Sequence, residues 1–148
     1  MNPVKNNARA SRPKGLGRAV SNGMKGRILI EGNNRLLKHR RRLGTLARRT
    51  LLFLKKDASL DIFLVGNNLM KKNVLAFRAI LGFPRPDVPR PYLGEIYLNP
   101  DYIHAHGESL EYMALHGILH LLGYDHVKTH DRIRMERKEQ FLLKKLGK

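Results

Sequence analysis

The chain has 148 residues, of which 42% are hydrophobic, and carries a formal net charge of +17. That length allows one compact domain with a real core. Without cysteine, disulfides and thiolate metal ligands are excluded, and no apolar run approaches the ~20 residues that cross a membrane.

The charge is concentrated at one end. Residues 1–56 hold 16 Lys and Arg and a single acid, Glu31, whereas residues 57–148 are close to neutral. A basic third on a nearly neutral domain is the footprint of a polyanion partner, most often nucleic acid. Residues 1–25 are rich in Asn, Gly, Ser, Lys and Arg and poor in large apolar residues. They read as a disordered basic arm, and residues 26–148 as the folded domain. The arm also has the composition of an organellar transit peptide, with Met24 an alternative start just before the first strand.

Arg27–Glu31 is the first predicted strand. Asn33 or Asn34 caps a helix that runs to Lys56. Leu36, Leu37, Leu43, Leu46, Ala47, Leu51 and Leu54 form its inner face, and Arg41, Arg42, Arg48 and Arg49 its basic outer face. Leu60–Val65 is a buried strand, residues 66–68 a turn, and Asn73–Arg78 a further strand. Four prolines within residues 83–91 predict an irregular loop or lid, and Leu93–Leu98 is a strand stopped by Asn99 and Pro100. His104 and His106 follow, as surface histidines or as a source of a fourth metal ligand. The stretch Ser109–Leu122 is apolar nearly all round and so predicts the central buried helix. Arg132–Leu146 closes the chain as a helix whose core side draws on Ile133, Met135 or Arg137, Phe141, Leu142 and Leu146.

The chemistry concentrates in His116-Gly-Ile-Leu-His-Leu-Leu-Gly-Tyr-Asp-His126. His116 and His120 are four apart and share one helix face, a spacing that lets two imidazoles reach one metal ion. Gly123 ends the helix, and the chain can then return with His126 as the third ligand. Three nitrogen ligands leave a tetrahedral zinc one open position, the mark of a catalytic site. The spacing matches the long zinc-peptidase motif except at Gly117, where those enzymes carry their general-base Glu. That departure leaves a metallopeptidase as the weakest alternative. A close approach by substrate or by neighbouring backbone would explain a glycine in mid-helix. Asp125 is a partner for a ligand histidine, a proton acceptor, or simply a turn residue.

The same run resembles the signature of the YbeY-type endoribonuclease family, H-G-x-L-H-L-x-G-Y-D-H, at every fixed letter. Asn73–Phe77 is similar to that family's [DN]-V-L-S-F, with Ala76 for Ser, and Leu93–Ile96 to its L-G-D-I, with Glu95 for Asp. The resemblance covers roughly residues 26–146. It implies an α/β (α+β) fold, a small mixed sheet packed against helices around a central metal-binding helix. It also implies one zinc ion per chain on His116, His120 and His126, and cleavage of single-stranded RNA in ribosomal RNA maturation and ribosome quality control. Single-stranded RNA, ribosomal RNA foremost, and the ribosome or its proteins are the partners expected, in the cytoplasm and not at a membrane. One family segment, Y-R-x-K-D-x-P-T before [DN]-V-L-S-F, has no counterpart: Lys71 and Lys72 run straight into Asn73. Its arginine is therefore missing. Lys71, Lys72 or Arg78 is the candidate replacement, with His116 and Asp125 as the other candidate catalytic residues. A non-catalytic RNA- or ribosome-binding assembly factor that keeps a zinc site is the alternative.

Overall fold

The computed structural model describes residues 26–80, 86–88 and 91–148. The basic arm and most of the proline-rich loop lie outside them. The elements follow the order β1 (Ile28–Gly32), a 3₁₀ turn (Leu36–His39), α1 (Arg40–Phe53), β2 (Ser59–Leu64), β3 (Val74–Arg78), β4 (Tyr92–Leu98), α2 (Pro100–Ala105), α3 (Leu110–Leu121) and α4 (Thr129–Leu146). The fold is mixed α/β. The sheet order is β1-β2-β4-β3, with β1, β2 and β4 parallel and β3 antiparallel at the edge beside β4.

Alternation along the strands sets the core. Leu60, Ile62 and Leu64 of β2 and Ile96 and Leu98 of β4 point to the helical side and are buried. They join Leu43, Leu46, Ala47 and Leu51 from α1 and Ala114, Ile118 and Leu121 from α3 in one cluster. Eight of the 12 residues of α3 are buried, as its all-round apolarity predicts. The helix predicted from Asn33 is divided. Asn33 Oδ1 accepts from Leu36 N at 3.0 Å, a tight 3₁₀ turn follows, and the α-helix begins at Arg40.

Three local features fix where the site sits. Gly94, at φ +135°, pairs with Arg78 at the end of β3, and a Cβ there would fall 2.1 Å from the Phe77 carbonyl oxygen. The glycine of the Leu93–Ile96 motif thus lets β3 close on β4. Gly117 faces the sheet, where a Cβ would lie 2.9 Å from Ile96 Cγ2 and 3.3 Å from Val74 Cγ2. The close approach that the glycine serves is therefore to side chains of β3 and β4. No room exists there for the glutamate of a zinc peptidase.

The third feature is a helix that the strand-stop reading of Asn99 and Pro100 overlooked. Asn99 is fully buried and caps α2, its Oδ1 accepting from Tyr102 N at 3.0 Å. Its Nδ2 donates to Asn67 Oδ1 at 2.8 Å and to the Met70 carbonyl, tying the turn before β3 to the end of β4. Asn99→Ala removes the cap and strands buried acceptors. A loss of roughly 2–4 kcal/mol of unfolding free energy is expected in denaturant melts; a change within about 0.5 kcal/mol would contradict that role.

Candidate metal centre

Gly117 against the sheet orients the rest of α3. At 100° per residue, Ala114, Ile118 and Leu121 turn to one flank and His116 and His120 to the other. The sheet order places α1 over β1 and α3 over β3 and β4, so the histidines face away from α1. Gly123, at φ +99°, ends the turn after α3, with Tyr124 N donating to the Leu119 carbonyl at 3.0 Å. Asp125 Oδ1 then accepts from His126 N at 2.6 Å and Val127 N at 3.1 Å, which fixes the return of the chain. Asp125 is exposed and holds the loop that carries His126.

The three imidazoles converge. One ring nitrogen from each of His116, His120 and His126 lies within 4.8 Å of the others. The Nε2 atoms of His116 and His120 are 3.2 Å apart. Two zinc-bound nitrogens at tetrahedral angles stand about 3.3 Å apart, so this pair already has ligand spacing. His126, on its exposed turn, completes the set. His104 and His106 are not in it: His104 lies on α2 and His106 stacks on Tyr102 at 3.9 Å between centroids.

Behind His116 stands a residue that pattern reading missed. Glu139 of α4 is 2% exposed, and its Oε2 accepts from His116 Nδ1 at 2.5 Å. Its Oε1 accepts from the Tyr112 hydroxyl at 2.7 Å. With Nδ1 committed as the donor, His116 presents the bare Nε2 lone pair to His120. Two such nitrogens at 3.2 Å are reconciled by a proton or a cation between them, and the buried carboxylate behind the ring stabilises either. Burial alone would raise the Glu139 carboxyl, but hydrogen bonds from His116 and Tyr112, and then the nearby imidazoles of His116 and His120 whenever either takes a proton, hold it below its usual value. Burial and the bond to Glu139 push the Tyr112 hydroxyl up, so it stays a donor. Burial, then His116 and His126, push His120 down, which keeps its lone pair free near neutral pH. The residues present therefore fit a metal ion held by three imidazoles.

Glu139 corrects the reading of the last helix. Its inner face is Met135, Glu139, Leu142 and Leu146, while Ile133 and Phe141 are 41% and 49% exposed. The 135/139/142/146 spacing is helical, but an acid inside an apolar stripe needs a partner on another helix, which only packing reveals.

The candidate cations are divided along β3. Lys71 and Lys72 precede the strand, at the end where Asn73 Nδ2 donates to Glu108 at 3.1 Å. Arg78 is at the other end, roughly 20 Å further along the strand than Lys72. It continues the face of Val74 and Ala76, which pack under α3, and so emerges just beyond the helix. Its guanidinium atoms lie 3.8–3.9 Å from where a Gly123 Cβ would be, in the turn that joins His120 to His126. Arg78 is exposed and makes no ion pair among the described residues.

Comparison with known proteins gives the family. A protein-family model described as "Endoribonuclease YbeY" matches residues 37–147. A relative of that name from Desulfitobacterium hafniense is 45% identical over 47 residues, 32% of this chain and 30% of that protein. One from Anaeromyxobacter sp. is 35% identical over 124 residues, covering 72% and 65%. One from Acholeplasma laidlawii is 31% identical over 104 residues, covering 61% and 72%. The chain thus spans less than two thirds of the first two relatives and rather more of the third. The histidine run, the two strand motifs and the family match reach one conclusion: this chain belongs to the endoribonuclease YbeY family.

Proposed function

We propose that the chain is a zinc-dependent endoribonuclease that cuts single-stranded RNA, with ribosomal RNA as its substrate class and the ribosome as its setting in the cytoplasm. The observation that carries this reading is the half-open trio of His116, His120 and His126, backed by Glu139, in a chain of this family. The three imidazoles would hold the metal, and Glu139 would keep the His116 ring in its ligating tautomer. Zinc bound there supplies Lewis acidity toward a phosphate oxygen or acidifies a water.

The chain's own residues do the rest. Arg78 places a guanidinium at the His120–His126 turn, where it would pair with the scissile phosphate as charge develops on it. Asp125, exposed beside His126, would serve as the proton acceptor through Oδ2, since Oδ1 already holds the loop. Lys71 and Lys72, at the far end of β3, would contact flanking phosphates. No helix among the described residues is long and apolar enough to cross a membrane.

The test is cleavage of an end-labelled single-stranded RNA under single-turnover conditions. Zinc-loaded protein should cut, chelated protein should not, and zinc should restore the activity. A second reading, an RNA-binding assembly factor that keeps its metal site, is favoured by the short connection from Asn67 to Asn73. Binding without cleavage by the zinc-loaded chain would select it.

A further inference from the structure

The second concentration of chemistry lies on the flank of α3 opposite the histidines. The helix α1 has no acid in its 14 residues and exposes Arg41, Arg42, Arg48 and Arg49. Along this flank α4 meets it, where Arg49 Nη2 donates to the Lys145 carbonyl at 3.5 Å. A groove of about 420 Å³ opens here, lined among the described residues by five basic side chains, Lys38, Arg41, Arg42, Arg49 and Lys148, and by no acidic side chain; Arg42 is the one already paired, its Nε 2.8 Å from Glu111 Oε2.

Two half-exposed aromatic rings stand beside the same helix pair. Phe53 is 40% exposed, with the Arg49 guanidinium 5.9 Å from its centroid. Phe141 is 49% exposed, with the Lys138 and Lys145 ammonium groups 5.7 and 5.5 Å from its centroid. Half-exposed rings now covered by mobile cations suit a strand of nucleic acid, whose phosphates can draw the cations off while its bases stack on the rings. An acidic protein surface would use the cations and leave the phenylalanines without a role.

We propose that the α1–α4 face is a second RNA-binding surface, one that holds RNA flanking the cleaved segment. It deepens the endoribonuclease reading and rests on it only for the word "cleaved". The thickness of α3, about 10 Å, separates the two sites, so nucleotides on this face are not those at the histidines.

The experiment measures Kd of the full chain for a fluorescein-labelled single-stranded RNA over a range of KCl. All four substituted positions are exposed, and circular dichroism checks the fold. Arg41→Ala/Arg49→Ala should raise Kd at least tenfold and make the slope of log K against log[KCl] shallower by about 1.4, the counterion release of two phosphate contacts on a single strand. Phe53→Ala/Phe141→Ala should raise Kd about thirtyfold or more with the slope unchanged, because stacking releases no counterions. Wild-type Kd in both variants would overturn the assignment. So would displacement of the RNA by poly-glutamate at equal charge concentration, which would mark the face as a site for acidic protein. Weakened binding in both variants, with no cleavage by the wild type, sinks the endoribonuclease reading and leaves this surface standing. Cleavage by the wild type with Kd unmoved in both variants does the reverse.

Discussion

Glu139→Gln is expected to weaken zinc binding about 10- to 100-fold while leaving the chain folded. The substitution keeps the size of a side chain that is 2% exposed and packed between Met135 and Leu142. It removes the negative charge that His116 Nδ1 meets at 2.5 Å. The amide can still accept from either His116 or Tyr112, but it turns a donor toward the other. The Tyr112 hydroxyl can accept from that donor, so the His116 tautomer is kept and what the ring loses is the negative charge that raises its basicity toward the metal. Competition titration against a zinc indicator reads the affinity, and a thermal melt of the metal-free protein reads the fold. A residue that served packing alone would move the melt and spare the affinity; that outcome would contradict the assignment. Glu139 sits on α4 and His116 on α3, so this bond also couples the metal to the docking of the last helix.

Arg78→Ala is expected to lower the single-turnover cleavage rate by roughly 10²- to 10³-fold, the usual cost of losing one donor aimed at developing charge. Zinc affinity should stay at the wild-type value, because Arg78 touches none of the three imidazoles. Arg78→Lys should restore part of the rate, since an ammonium keeps the charge but not the two-pronged geometry. The joint change Lys71→Ala/Lys72→Ala should act differently, raising KM severalfold with the rate constant little altered, as expected for contacts to flanking phosphates. If the lysine pair lowers the rate constant and Arg78→Ala does not, the cation at the reacting phosphate comes from the start of β3. The missing arginine of the family segment would then have been replaced from there.

The parts of this protein that were legible in its sequence are those governed by local periodicity. The short apolar runs in residues 60–65 and 93–98, bounded by turn residues, the all-round apolarity of residues 109–122 and the two-sided pattern of α1 each specify an element without knowledge of its neighbours. The histidine trio is also local, since a helix turn and one glycine bring all three nitrogens together. What pattern could not supply depends on partners. The stripe rule preferred Phe141 and Ile133 over a charged residue, and only His116 and Tyr112, on another helix, make Glu139 an inside residue. Gly117 announced a close approach but not its object, which proved to be Ile96 and Val74. Asn99-Pro100 carried both a strand stop and a helix start, an N-cap followed by proline at the first helical position.

RNA cleavage at the histidine trio is what the proposed function most depends on. The most direct measurement compares wild-type protein with His116→Ala/His120→Ala, purified identically and supplied with zinc, on the same end-labelled single-stranded RNA. The proposed function requires cleavage by the wild type and none by the double variant, with circular dichroism showing both folded. Equal cleavage by the two would place the activity outside the histidine centre, and no cleavage by either would leave the trio a metal site without ribonuclease chemistry.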